Sequence, residues 1–276
     1  MEIFQPILQF LNTKMERPTP YGWFHLLCIL IVGSMTILAI IYGKNAKEKT
    51  VRRIVFITAL VVSILEVYKQ INFTFGSGDQ DFYYHWYAFP FQFCSTPMYV
   101  GLLAGLTKKG KLHDALCAYL ATYALFAGTC VMFYPGDVFV ETVGINIQTM
   151  ICHGSMPVIA ALLLSSGHVQ LKSKTILKAL PVFLCCVAIA VVLNEVAYWT
   201  GILQEHTFNM FFISPHCPPS LPVYSLVQQL LPFPFCLIVY VLGFTAAGFV
   251  MLLIAMAIHN WIQKSHLFPH NHCHAA

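Results

Sequence analysis

The apolar positions of this chain gather into seven long runs, at 22–42, 53–73, 88–107, 112–133, 144–166, 175–198 and 233–260. Each run approaches or exceeds the roughly 20 residues that an α-helix needs to cross the hydrocarbon core of a bilayer. The polar stretches between them alternate in character. After the first, third and fifth runs come Lys44, Lys47, Lys49, Arg52 and Arg53, then Lys108, Lys109 and Lys111, then Lys172 and Lys174. The connections after the second, fourth and sixth runs contain no Lys or Arg and hold Asp79, Asp81, Asp137, Glu141 and Glu205. Basic loops stay on the cytoplasmic side. The pattern therefore predicts an all-α, polytopic membrane helix bundle with seven transmembrane helices. Its N-terminus lies outside and its C-terminus, with Lys264, is cytoplasmic. Lys14 and Arg17 fall on the unexpected side, outnumbered by the five basic residues that follow the first run.

Composition agrees. Of 276 residues, 58% are hydrophobic and only 9% charged, whereas a soluble domain carries about 25% charged residues. So little polar surface cannot cover a water-soluble globule, and residues 1–276 read as a single transmembrane domain. The net charge of +4 is accounted for by topology. No basic stripe is interleaved with aromatic residues, which argues against nucleic acid as a partner. Of ten cysteines, Cys28, Cys117, Cys130, Cys152, Cys185, Cys186 and Cys236 fall inside apolar runs and read as small core hydrophobes. No CxxC pair has zinc-like spacing. The first run is long for a signal-peptide core and no A-x-A site follows it, so it reads as a retained helix.

The connection at 199–232 is unusually long. Phe208 to Ile213 is apolar, and Pro215, Pro218, Pro219 and Pro222 interrupt helix formation. Long loops in compact proteins are often functional, and this one reads as an outer capping or re-entrant element. The tail at 265–276, rich in His and carrying Cys273, reads as flexible, with weak metal binding as the alternative.

Ionisable groups inside membrane segments are costly and therefore mark candidate sites. The predicted topology collects them toward the outer face. Glu66 and Lys69 lie near the outer end of the second helix, three residues apart and close enough to pair. They form either a self-neutralising structural pair or a site in which Lys69 holds a phosphate or an oxyanion and Glu66 orients it. Cys94 falls about 9 Å below the outer start of the third helix, and His153 about 14 Å below that of the fifth, at the α-helical rise. Asn194 and Glu195 reach the outer face at the end of the sixth, followed by His206, Asn209, His216 and Cys217. An imidazole or a cation favours the reactive thiolate, so His153 could serve Cys94 as a general base. Pro90 and Pro97 flank Cys94 and could free backbone N–H groups to steady an oxyanion. Simple packing of Cys94, or a Cys94–Cys217 disulfide, is the competing reading.

At these residues the chain resembles a known family, the YwaF-like bacterial integral membrane proteins, related to the eukaryotic transmembrane protein 164 acyltransferases. The resemblance runs over roughly residues 50–260 and rests on order. Glu66-Val67-Tyr68-Lys69 ends the second helix, and Pro90 and Cys94 open the third. Cys152-His153-Gly154 lies in the fifth, and a segment containing Asn209 and Pro215 follows the sixth. The resemblance implies a cysteine-dependent enzyme that moves an acyl chain between phospholipids without coenzyme A or another cofactor. Cys94 would be its nucleophile and His153 its partner. Glu66, Lys69, Asn194, Glu195, His206 and Asn209 are the candidate substrate-binding residues. The partners would be membrane phospholipid and lysophospholipid, met at the extracytoplasmic side of a bacterial plasma membrane. The eukaryotic proteins carry a histidine directly after the cysteine, where this chain has Ser95.

Other classes fit the same residues. With water as acceptor the site is a lipid hydrolase. Without chemistry it is the pocket of a lipid-binding or receptor-like seven-helix protein. A transporter would need polar residues through the inner half, which holds little beyond His113 and Asp114. A metal enzyme using His153, His206 and His216 lacks HxxxH or HExxH spacing.

Overall fold

A computed structural model describes residues 5–75, 84–136, 138–201, 208–218 and 221–264. His206 and the tail at 265–276 lie outside the described residues. The described chain is helical, and its extended pairing is one isolated bridge between Lys14 and Thr142. In order come α1 (Gln5–Leu11), α2 (Trp23–Gly43), α3 (Glu48–Phe75), a 3-10 turn (Trp86–Ala88), α4 (Thr96–Leu106) and α5 (Lys111–Tyr119). A π turn (Leu120–Ala124) joins α5 to α6 (Leu125–Phe133). Then follow α7 (Val143–Ser165), α8 (Thr175–Trp199), a second 3-10 turn (Met210–Phe212), α9 (Pro222–Leu230) and α10 (Phe233–Lys264).

Six of these segments are long and apolar enough to cross a membrane: α2, α3, α5 with α6 as one rod, α7, α8 and α10. The run at 88–107, read from sequence as a continuous seventh span, is helical only in its second half. Pro90 lacks an N–H and biases Phe89 away from helical geometry. The chain runs irregularly to Pro97, which occupies the first turn of α4, where its missing donor costs nothing. The eleven residues of α4 span about 16 Å, roughly half the hydrocarbon thickness.

The α5–α6 rod and α7 form the centre, with Tyr119, Tyr123, Leu163 and Ala160 essentially inaccessible. α2 and α10 lie at the periphery and expose large apolar side chains such as Leu30, Ile37, Leu242 and Val250. Lipid tails are as apolar as these side chains, so close packing, not hydrophobic transfer, holds such helices together. Gly128 shows the device: a Cβ there would meet the His153 carbonyl oxygen at 2.5 Å and Pro157 at 3.0 Å. A glycine at that crossing lets α6 lie directly against α7.

The two ends of the bundle differ chemically. The connections that carry the lysines meet at one end, where Ala46, Lys109 and 166–170 surround a common cavity. At the other end the N-terminal segment is tied down. Tyr68 and Asn72 donate to the Leu11 carbonyl at 2.6 and 3.0 Å, and Tyr21 donates to that of Phe133 at 2.6 Å. Arg17 donates to the Gly136 carbonyl at 2.8 Å. Arg17, one of the two basic residues before the first span, thus has a structural role.

Candidate functional site

The end away from the lysine-rich connections holds a buried polar network within the bundle. Glu66 is its hub. Its Oε1 accepts from Lys69 Nζ at 2.8 Å and from Gln70 Nε2 at 2.7 Å, and its Oε2 from Gln148 Nε2 on α7 at 3.3 Å. Gln70 also donates to the Ala88 carbonyl at 2.8 Å and accepts from the Tyr84 hydroxyl at 2.7 Å. The carboxylate and the ammonium are only 7% and 17% exposed. Desolvation of two charges is costly, and here charge-assisted hydrogen bonds offset it. Burial, and secondarily the Glu66 charge, push the Tyr84 phenol upward, so it stays a donor.

Cys94 sits two residues before α4, partly buried. Ser95 N and Thr96 N both donate to the Gln92 carbonyl, at 2.8 and 3.2 Å, making the turn that carries the thiol. Thr96 Oγ1 donates to the Phe93 carbonyl at 2.8 Å and accepts from the Tyr119 hydroxyl at 2.6 Å. Tyr119 ends α5 at the π turn, so that irregularity helps hold the turn. Lys69 and Glu66 lie within electrostatic range of the Cys94 sulfur, and Lys69 within range of His153 as well. Four candidates from three regions of the sequence, Glu66, Lys69, Cys94 and His153, thus share one environment.

His153 is 5% exposed. Its Nδ1 lies 2.8 Å from the Thr149 carbonyl one turn earlier. A carbonyl only accepts, so Nδ1 carries the proton and Nε2 presents its lone pair. Nε2 is buried and has no hydrogen-bond partner. It therefore makes no bond to the Cys94 sulfur in this conformation. The alternative pairing of Cys94 with Cys217 is also not made: both are free thiols, and Cys217 donates to the Phe208 carbonyl at 3.3 Å.

The remaining candidates serve the segment at 208–216. Asn194 donates to the Met210 carbonyl at 3.0 Å and accepts from Met210 N at 2.7 Å. Asn209 Oδ1 accepts from Ser214 N at 2.8 Å. Glu195 lies farther out, 3.1 Å from His216 Nε2 and 3.0 Å from Trp199 Nε1. Among the described residues no three His, Cys, Asp or Glu side chains group as metal ligands. Phe211 and Phe212 adopt φ of 59° and 58°, an uncommon backbone for bulky residues, and the Asn194 clasp holds it. Asn194→Ala removes two bonds to buried backbone groups and is expected to cost about 2–3 kcal/mol. Denaturant unfolding in micelles measures this, and a loss below about 0.5 kcal/mol would show that the clasp is dispensable.

Gln92 links this segment to the thiol. It donates to the Asn209 carbonyl at 3.0 Å and accepts from Phe211 N at 3.0 Å. Gln92, Gln70, Tyr84 and Gln148 are site residues that the sequence reading missed. Gln70 had a signal, one helical turn after Glu66. Gln148 had another, an amide in an apolar span, one turn before Cys152. Gln92 and Tyr84 act through folding of non-helical chain and had none.

The spans and this buried network define a polytopic helical membrane protein with a polar interior near one end. Residues 19–256 match the TMEM164 family, and the chain belongs to that family. No curated protein and no solved structure matches it significantly.

Proposed function

We propose that the protein is a membrane acyltransferase that moves an acyl chain from a phospholipid to a lysophospholipid through Cys94, in the manner of the YwaF-like and eukaryotic relatives that its sequence resembles. One observation carries the reading: a buried imidazole, Nε2 lone pair unpartnered, shares an environment with a thiol and a lysine. An orphaned buried acceptor costs about 1–3 kcal/mol, and native structures retain few without a use. Binding of the ester beside them draws sulfur and imidazole together, which closes the open contact.

His153 Nε2 takes the thiol proton as Sγ bonds to the ester carbonyl carbon. The tetrahedral oxyanion lies near Lys69, which Glu66 orients. The carbon–oxygen bond then breaks, His153 returns its proton to the departing lysolipid oxygen, and a thioester remains on Cys94. An acceptor hydroxyl reverses the sequence: it gives its proton to His153, attacks the thioester, and releases Cys94 as thiol. No cofactor enters this balance.

The same proposal assigns the topology. The run at 88–107 counts as the seventh crossing, the lysine-rich end is cytoplasmic, and the buried polar site faces the extracytoplasmic leaflet of a bacterial plasma membrane. The described residues of the 199–232 connection cap it, and residues 1–276 act as one transmembrane domain. Of the substrate-binding candidates, Glu66 and Lys69 keep that role. Asn194, Glu195 and Asn209 act by holding the cap.

The test uses full-length protein in nanodiscs with a phospholipid bearing an alkyne-tagged acyl chain. A hydroxylamine-sensitive tag on the Cys94 peptide, absent from Cys94→Ala, is the expected result. Equal tagging of Cys94→Ala would overturn the proposal. Tag released as fatty acid, with none on lysolipid, identifies a hydrolase at the same site. The open sulfur–imidazole contact favours a second reading, a lipid-binding chamber without chemistry, and no tagging in either protein identifies it.

A further inference from the structure

The lysine-rich end of the bundle holds a second polar cavity that acyl transfer does not use. Its volume is about 350 Å³, and it is lined from the three short connections and from the first turns of α5 and α8. We propose that this cavity is a second ligand site, one that binds a phosphate group.

The cations come from separate elements. Lys109 lies between α4 and α5, and Lys178 lies in the first turn of α8. Arg52, on α3, faces an adjoining crevice that shares His113 and His168 with the cavity. Arg52 spends one terminal nitrogen on the Gly105 carbonyl at 3.2 Å, while its buried Nε–H has no acceptor. His168 makes one bond, Nδ1 to Ser166 Oγ at 2.9 Å, and its buried Nε2 has no partner. Two unfilled polar positions thus face one crevice beside a roomy cavity.

Helix ends add to this. His113 and Asp114 belong to the first turn of α5, Thr175 and Lys178 to that of α8, and neither N-terminus has a side-chain cap. Two N-termini without side-chain caps at one cavity bring positive dipole ends to it, which suits an oxyanion. The carboxylates do not cancel the field: Glu48 is engaged with Lys109 at 3.9 Å, leaving Asp114 against Arg52 and Lys178. Burial pushes the His168 imidazole below its ordinary range, with Glu48 opposing and His113 and Lys109 adding to it. A bound anion would oppose this effect of burial and favour the protonated ring, which donates from both nitrogens. That added charge suits phosphate over chloride, because phosphate accepts from several donors at once.

The phosphate could belong to an anionic lipid headgroup or be free in solution, and the experiment separates the two. Purified full-length protein in detergent is titrated with inorganic phosphate against chloride at equal ionic strength, following the unfolding midpoint. In parallel, nanodiscs containing phosphatidate and phosphatidylcholine are examined by native mass spectrometry for retained lipid. Stabilisation by inorganic phosphate that weakens at least about tenfold in His168→Ala and in Lys178→Gln supports the site with a free ligand. Selective retention of phosphatidate, lost in the same variants and without an effect of inorganic phosphate, supports it with a lipid headgroup. Lys178 is exposed, so Lys178→Gln keeps the test readable if His168→Ala fails to fold. Neither response, or one that both folded variants retain, overturns the inference. The readout is binding, so the result stands apart from whether Cys94 transfers acyl chains.

Discussion

Cys94→Ala is expected to lower acyl transfer by at least about 10³-fold, with phospholipid retention in nanodiscs unchanged. Loss of a nucleophile removes the covalent path, and catalytic groups that act as a unit show losses of this order or larger. His153→Gln keeps an amide of similar reach but cannot serve as the base. It should lower turnover about 10²–10⁴-fold, in kcat far more than in KM. The two losses should not add in the double variant, because each group is useless without the other. Additive losses would show that the thiol and imidazole act independently, against the mechanism drawn here. The open geometry gives a further reading: transfer should show a lag-free dependence on lipid concentration while the free protein's thiol reacts slowly with small alkylating agents. Only the bound ester completes the pairing.

The second large effect is on stability. Glu66→Ala strips the Lys69 ammonium of its partner and leaves Gln70 and Gln148 each short of an acceptor. Breaking one side of a buried ion pair costs about 3–5 kcal/mol. Glu66→Ala should therefore lower unfolding stability in mixed micelles by that amount. The double variant Glu66→Leu with Lys69→Met should recover most of it, since the uncompensated charge is then gone. A Glu66→Ala protein within about 1 kcal/mol of the parent would mean that water already reaches the carboxylate. Activity separates structure from function here: if the pair only stabilises, the double variant regains transfer along with stability. If Lys69 steadies the oxyanion, it folds without transferring.

The sequence made the spans legible because hydropathy alone decides which segments are long and apolar enough to enter a bilayer. The 22–42 run and α2, or the 112–133 run and the α5–α6 rod, differ by at most a residue at each boundary. The gathering of the basic connections at one end was legible for a related reason, since charged loops are free of packing constraints. Glu66 and Lys69 could be paired from helical spacing. The unwound first half of the 88–107 run was hidden. Its residues are as apolar as those of any span, and the decisive contacts are the Gln92 bonds to residues more than a hundred positions away. The roles of Asn194 and Asn209 were hidden likewise. An amide aimed at backbone reads in sequence like an amide aimed at a headgroup, and only the positive φ of Phe211 and Phe212 shows what must be held. The state of the His153 ring depends on what lies beyond Nε2, which no spacing rule reports.

The short reach of α4 has a consequence for the membrane itself. On the proposed topology α4 ends at the cytoplasmic boundary, and a sulfur just before this eleven-residue helix stands about 16 Å above it, beneath the plane where glycerol esters rest. A lipid reacting at Cys94 would then have to sink, or the leaflet would have to dip to meet the protein, and bilayer thickness would become a determinant of rate: thin, short-chain membranes would bring the ester closer to the thiol than thick, long-chain ones.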